Sequence, residues 1–307
     1  MRILKLISKR LIKFFLICLS ISSIIILMKL WHLVTDGFRL DKIQTKQMFH
    51  KELFIDTSNQ DDDINNILSQ KFYYLDRGCQ AYVFESADKK YVLKLLRYSK
   101  YNVPFWTDII DIQKCKKTSK KYLSQKAEKA FWNTMTSYKR SYDDLKDQTA
   151  VCYVHLTKTD NLLNQLKIVD RLKRGKIINP NKIGFVIQKK TQRLEDVMFQ
   201  MSKSCDIKKG KEIIDSFFDL AVTINKKNIV NRDYNCVKNS GYLDGKVVGM
   251  DLGSYYAAEV DLLEKCNFDY EIRSSTKHLR KWLVKHWPEL TYYYDEKIEN
   301  IVSYYGI

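Results

Sequence analysis

The sequence predicts an α+β protein in which a sheet-rich part precedes a helix-rich part, with one transmembrane helix ahead of both. Three observations support this. An apolar run begins near the N-terminus, short apolar runs separated by turn signals fill residues 71–190, and apolar residues recur at helical spacing in 211–226. The predicted units are a basic tail (1–13), a transmembrane helix (14–34), a polar tether (35–70), the sheet-rich part (71–190) and the helix-rich part (191–307).

The N-terminal segment has the charge and length of a membrane anchor. Residues 1–13 carry five Lys or Arg and no acid, and the 21 residues of 14–34 carry one formal charge, Lys29. As a helix at about 1.5 Å per residue they span roughly 31 Å, the thickness of a bilayer core. The alternatives are a buried core helix and a cleaved signal peptide, although small residues are missing at a cleavage site. The positive-inside rule predicts a single-pass protein with a cytoplasmic N-terminus and the rest across the membrane.

Composition limits the classes of function. The formal net charge is +17, and the seven Cys and five His form neither a CxxC pair nor a metal-binding spacing. A basic protein at a membrane is expected to contact anionic lipid head groups. Nucleic-acid binding is not expected, because no zinc-finger, helix-turn-helix or RNP pattern accompanies the charge. No motif identifies a protein partner.

Segment 228–255 carries the first group of candidate catalytic residues. An Arg-Asp pair ending at Asp233 follows an apolar helical run, and Asp-Leu-Gly begins at Asp251. Between them, apolar residues flank Asp244-Gly245, a strong hairpin signal that would return both carboxylates to one cleft. Phosphoryl transfer needs one carboxylate near an attacking hydroxyl and another on Mg²⁺. Motifs this short also occur by chance, so a second group of residues is required.

Segment 75–97 supplies that second group. It is predicted to form two strands, one around 82–84 and one at 91–96, joined by a turn at 86–90. Lys94 lies inside the apolar second strand, where an ammonium is costly to bury unless a partner or an anionic ligand meets it. A solvent-facing lysine on an edge strand is the alternative interpretation.

Together the two segments resemble the protein-kinase-like fold over roughly residues 75–251, and are similar to divergent bacterial membrane-anchored kinase-like or pseudokinase proteins. The resemblance implies two lobes, an N-lobe at 71–190 and a short C-lobe at 191–307, with ATP and Mg²⁺ as cofactors. It implies that Asp233 is the catalytic base, that Lys94 contacts the phosphates, and that Asp251 and Asn239 bind the metal.

Two further residues receive roles from the resemblance. Gly78 corresponds to the middle glycine of the Gly-rich loop that covers the nucleotide. Glu128, the only Glu in the predicted helix 114–146, corresponds to the partner that steadies Lys94. An ion pair between Glu128 and a lysine on its own helix is the alternative.

The sequence also departs from the family pattern. Asp76 and Ala81 stand where the outer glycines of the loop would be, and Lys238 stands five residues after Asp233, in place of the metal-binding Asn. A one-residue bulge would bring Asn239 into that place. The His of the catalytic loop is Asn231, the Phe of Asp-Phe-Gly is Leu252, and only 54 residues follow Gly253, so the C-lobe is closer in length to small-molecule or atypical kinases.

Three hypotheses follow from the sequence. The first is a membrane-anchored, ATP- and Mg²⁺-dependent phosphotransferase acting on a hydroxyl. The second is a catalytically inactive pseudokinase that binds a nucleotide or a protein. The third is a basic membrane-surface interaction protein in which the motifs are accidental. The predicted orientation conflicts with the first hypothesis, because ATP is a cytoplasmic substrate.

Overall fold

The N-terminal helix α1 (Arg2–Thr35) is long and apolar enough to cross a membrane. The structure, a computed structural model, describes residues 2–44, 50–55, 62–103, 120–160, 165–233 and 235–305. Ile12–Thr35 has a mean hydropathy of 2.2, and its apolar window is unburied. The span predicted at 14–34 falls inside this stretch. A signal sequence would have a similar length and composition.

A seven-stranded mixed sheet forms the centre of the sheet-rich part. A short helix, α2 (Asp62–Ser69), precedes it, and α3 (Lys120–Asp143) and α4 (Lys146–Thr149) lie between its third and fourth strands in the chain. The strands are β1 (Lys71–Arg77), β2 (Ala81–Ser86), β3 (Tyr91–Leu96), β4 (Val151–His155), β5 (Leu166–Val169), β6 (Gly175–Ile178) and β7 (Phe185–Lys189). Their order is β4-β7-β3-β2-β1-β5-β6, and only the β1–β5 pair is parallel. Residues 114–119 of the predicted helix lie outside the described residues.

The remaining elements are mainly helical. They are β8 (Gln192–Arg193), α5 (Leu194–Lys203), α6 (Ile207–Lys226), β9 (Ile229–Asn231), α7 (Cys236–Asn239), β10 (Ser240–Leu243), β11 (Lys246–Gly249), β12 (Tyr255–Ala257), α8 (Lys265–His286) and α9 (Thr291–Tyr305). α6 begins at its cap residue Asp206, whose carboxylate accepts a hydrogen bond from the Lys209 backbone N–H, and it buries one apolar face. The helix predicted at 211–226 is therefore confirmed.

The predicted hairpins are also confirmed. β2 and β3 pair antiparallel across the turn at 86–90, where Lys89 has a φ of 60°. β10 and β11 enclose Asp244 and Gly245, whose φ values are 48° and 85°. Two consecutive left-handed residues match the twist of paired strands, which is why Asp-Gly predicts this turn.

The described residues of the predicted polar tether are packed against the rest of the chain. The prediction of a free linker is therefore wrong for these residues. Phe38 and Ile43 are buried with one face of the sheet, and Leu53 and Ile55 are buried beside α3. Isolated apolar residues among many polar ones gave no clear periodicity in this stretch. Residues 45–49 and 56–61, including the acidic Asp61, lie outside the described residues.

The buried apolar residues form three clusters. One lies on a face of the sheet, and one lies among α5, α6, α8 and α9. The third joins the two parts, because it combines Phe131 and Met135 of α3 with Val186 of β7, Leu252 and Tyr255. This arrangement is consistent with the predicted α+β class. It also brings the sheet-rich part against the Asp251 segment.

Candidate active site

Lys94 lies on a central strand of the sheet. β3 is paired on both sides, with β2 and with β7, so the edge-strand interpretation is wrong. The ammonium group is enclosed and donates a hydrogen bond of 2.5 Å to the backbone carbonyl of Met250. Burial lowers the pKa of Lys94 to about 8, and the nearby carboxylate of Asp251 acts in the opposite direction. The structure therefore brings Lys94 together with Asp251.

The backbone of Asn239 holds the Asp251 segment in place. The Asn239 carbonyl accepts hydrogen bonds from Met250 N at 2.8 Å and from Asp251 N at 3.4 Å. Asn239 ends the single-turn helix α7 and is half-buried, whereas the preceding Lys238 is exposed. The backbone of Asn239 thus contacts the Asp251 segment. The Asp251 carboxylate accepts a hydrogen bond from Gly253 N at 3.0 Å.

Asp233 lies on a loop that is joined to the same segment. The side-chain oxygen of Asn231 accepts hydrogen bonds from Asp233 N at 3.0 Å and from the Ser254 hydroxyl at 2.7 Å. The flanking strands β9 and β12 pair antiparallel. Burial raises the pKa of Tyr255, and the charges of Asp251 and Asp233 raise it further. Both charges therefore shift the pKa of one phenol in the same direction.

The structure does not bring Glu128 to Lys94. Glu128 is exposed on α3, whereas the ammonium of Lys94 is enclosed beside Met250 and Asp251. The face of α3 that meets this segment carries Ser137, whose hydroxyl donates to Leu252 O at 2.6 Å and accepts from Tyr255 N at 2.7 Å. The assignment of Glu128 as the partner of Lys94 is thus not supported.

The turn that contains Gly78 folds down onto Gly253. The Gly78 backbone N–H donates to Ala81 O at 2.9 Å, which closes the turn between β1 and β2. Gln80, in the same turn, directs its carboxamide at Gly253. The two residues are so close that a Cβ added to Gly253 would lie 1.7 Å from the Gln80 side-chain oxygen. The same oxygen accepts a hydrogen bond of 3.2 Å from the hydroxyl of Tyr138.

A small cavity of about 40 Å³ lies beside Asp233, with the polar residues Asn231, Ser240 and Glu271 among its lining residues. Glu271 is buried, and among the described residues its Oε1 has no hydrogen-bond partner. Burial raises the pKa of Glu271, and the positive charge of Arg232 partly offsets this. Glu271 could not be singled out from the sequence, because an acidic residue in a helix rich in charged residues usually faces solvent.

The predicted metal ligands Asp251 and Asn239 both carry side-chain oxygen donors. Among the described residues, no group of three His, Cys, Asp or Glu side chains could hold a metal ion. Mg²⁺ is commonly bound by one or two carboxylates together with substrate phosphates and water, so it does not need such a group. Oxygen donors from Asp251 and Asn239 have the chemistry this ion prefers.

The chain was compared with protein families, curated proteins and solved structures. No protein-family model and no curated protein sequence matches the chain. Among solved structures, the chain is similar to WbdD crystallised with the kinase inhibitor LY294002, with 14% identity and a TM-score of 0.31. The match covers 64% of this chain and 36% of that one, so the chain spans well under half of its length. The two kinase-like lobes are therefore a prediction from the sequence.

Proposed function

We propose that the protein is a membrane-anchored phosphotransferase that moves the γ-phosphoryl group of ATP to a hydroxyl acceptor. The observation that carries the proposal is the contact of the enclosed Lys94 ammonium with the Met250 carbonyl, directly beside Asp251. These residues are separated by more than 150 positions in the chain. A buried ammonium with a lowered pKa favours the binding of an anionic ligand. A phosphate would replace the interactions with water that the ammonium lost on burial.

Each residue then has a chemical role. Asp233 accepts the proton of the acceptor hydroxyl as its oxygen attacks the γ-phosphorus, and the bond to the leaving ADP oxygen breaks. Lys94 neutralises phosphate charge that develops in this step. Asp251 and Asn239 would hold Mg²⁺, which neutralises charge on the phosphates when it is bound. Asn231 keeps the Asp233 loop and the Ser254 segment together.

Nucleotide binding is the direct test of this proposal. We expect ATP with Mg²⁺ to raise the thermal unfolding temperature of the full chain in an uncharged detergent, because a ligand that binds only the folded state stabilises it. Lys94→Met is expected to abolish the shift. Lys90→Met, at an exposed lysine of the neighbouring turn, is the matched control and should retain it. Absence of a shift in the wild type, or an equal shift in Lys94→Met, would contradict the proposal.

A second candidate function is a pseudokinase that binds a nucleotide or a protein without transferring phosphate. The observation that favours it is the position of the Gln80 carboxamide against Gly253, where the turn closes over the segment next to Asp251. The exposed Lys238 in the place of the family's metal-binding Asn points the same way. Nucleotide stabilisation without any phosphate transfer would favour this function.

A further inference from the structure

A group of four cations lies near the end of the membrane helix and next to the Gly78 turn. We call Lys42, Arg77, Arg97 and Lys100 the juxtamembrane cluster. Among the described residues, none of the four forms an ion pair with a carboxylate. They contact backbone carbonyls, a ring nitrogen, a thiol and the rings of Tyr82 and Tyr101. Like charges grouped at one place create a positive potential that attracts anions.

The cluster is fixed to the C-terminal end of α1. The Arg77 guanidinium donates to Asp36 O at 3.1 Å and lies 3.2 Å from the His32 ring nitrogen. Lys42 donates to Gly37 O at 2.9 Å. The apolar stretch of α1 ends at Thr35. When that stretch crosses a bilayer, its end and the side chains bonded to it lie at the level of the lipid head groups.

The nearby acids do not neutralise the cluster. Asp36 pairs with Arg171 at 2.6 Å, and Asp41 pairs with Arg39 at 2.9 Å. Asp76 accepts a hydrogen bond from the backbone N–H of Arg77 and is exposed. The cations repel one another, and this affects Lys42. Burial lowers the pKa of Lys42 most, and the charges of Arg97, Arg39 and Arg77 lower it further.

The cations border a concave surface with room for a phosphate group. Arg77, Arg97 and Lys100 line an open cavity of about 590 Å³, and the other lining residues are Gly78, Cys79 and the acids Asp36 and Asp76. The Nε of Arg97 is buried and has no hydrogen-bond partner among the described residues. Guanidinium donors recognise phosphate oxygens with directed, charge-assisted hydrogen bonds.

We infer that the juxtamembrane cluster binds the phosphate of an anionic membrane lipid. A lipid is favoured over a soluble phosphate because the cluster is bonded to the end of the helix that enters the bilayer, where head groups are concentrated. Because Arg97 also holds the Gly78 and Cys79 carbonyls, a lipid bound there contacts the turn that closes over Gly253. The inference does not depend on catalysis.

The test uses the full chain in an uncharged detergent, with affinities taken from thermal shift and lipid retention followed by native mass spectrometry. The probes are short-chain phosphatidylglycerol, short-chain phosphatidylcholine and inorganic phosphate. We expect phosphatidylglycerol to bind and to stabilise the protein, and the other two to have little effect. Arg77→Gln and Lys100→Gln should each weaken the binding roughly fivefold, since one cation near an anionic surface contributes about that factor.

Two distant exposed lysines provide the matched controls, Lys208→Gln on α6 and Lys281→Gln on α8. They should leave lipid binding unchanged. Lys100 is exposed, so its substitution keeps the test valid if Arg77→Gln does not fold. Equal binding of phosphatidylcholine, equal stabilisation by inorganic phosphate, or an equal loss in the control variants would overturn the inference.

Discussion

At the scale of single residues, Lys94 and Gln80 show which part of a site a sequence can reveal. A lysine inside an apolar strand indicates a site, because a buried ammonium is unfavourable unless a polar partner or an anionic ligand compensates for the lost water. Gln80 carries no such signal, since a polar residue in a turn is ordinary. Its contact with Gly253 depends on how the β1–β2 turn meets a segment far along the chain. Only the structure could show that the turn is closed.

The position of Gln80 leads to a prediction for nucleotide binding. The Gln80 carboxamide must leave Gly253 before a phosphate can approach Asp251 from that side. Removing it deletes one neutral hydrogen bond, to the Tyr138 hydroxyl, which stabilises the closed turn by about 1 kcal/mol. We therefore expect Gln80→Ala to raise the affinity for ATP with Mg²⁺ roughly fivefold by calorimetry.

Tyr138→Phe is the companion variant, because it removes the same hydrogen bond and leaves Gln80 in place. It should change the affinity in the same direction and by no more than Gln80→Ala. A lower affinity in Gln80→Ala would show instead that the carboxamide contributes to nucleotide binding.

At the scale of elements, α3 explains why Glu128 is not the partner of Lys94. Glu128 and Ser137 are nine residues apart, and at about 100° per residue they point to opposite sides of the helix. The side that carries Ser137 is packed on Leu252 and Tyr255, so Glu128 faces solvent. The sequence predicted the helix but not its rotation. The stripe of Ser137 and Ser141 among aromatic and apolar residues was the available signal, since small polar groups on a buried face need partners.

A second prediction follows from the docking of α3. In Ser137→Ala, the buried N–H of Tyr255 loses its acceptor, while Leu252 O keeps the hydroxyl of Ser141 as a donor. One unsatisfied buried group costs about 1–3 kcal/mol, so we expect that loss in the free energy of unfolding. Denaturant unfolding measures it. Thr136→Ala, at an exposed neighbour on the same helix, should change stability by less than about 0.5 kcal/mol. Equal effects in both variants would contradict this account of the docking.

Local signals determined how much of the fold could be predicted. Hairpins at 86–90 and 244–245 and the helix at 211–226 were predicted correctly, because turn residues and apolar periodicity are encoded within each segment. The packing of residues 35–44 and 50–55 was missed, because it depends on contacts with distant strands and with α3. Asp233, Asp251 and Lys94 could be proposed from motifs. The motif position of Asn231 did not predict its bond to Ser254, which lies far along the chain, and Glu271 lies outside any motif.

At the scale of the whole molecule, buried polar contacts connect the sheet to the hairpin that leads to Asp251. Gln188 of β7 is buried, and its amide donates to Thr149 O at 2.5 Å and to Gly249 O at 2.9 Å. Gly249 ends β11, two residues before Asp251. Because a buried amide without partners is costly, these bonds favour one relative position of β7 and the hairpin.

The phosphotransferase proposal also predicts the orientation of the protein. It requires the part that follows α1 to face the compartment that holds ATP, whereas the charges of residues 1–13 favour a cytoplasmic N-terminus. The exposed thiols of Cys205 and Cys266 report the side directly. In sealed vesicles of known sidedness, we expect a membrane-impermeant thiol reagent to label both from the cytoplasmic face. Buried Cys236 serves as the unlabelled internal control. Labelling from the opposite face only would separate the site from cytoplasmic ATP and would contradict the phosphotransferase proposal.

The most direct measurement of the central claim is phosphate release or transfer from ATP by the full chain and three variants. We predict that Asp233→Asn lowers the rate by about 10²–10⁴, the usual contribution of a general base, and that Asp251→Asn abolishes it. Asp219→Asn, at an exposed carboxylate of α6, should leave the rate unchanged. Equal background rates in the wild type, Asp233→Asn and Asp251→Asn would contradict the assignment of a catalytic site.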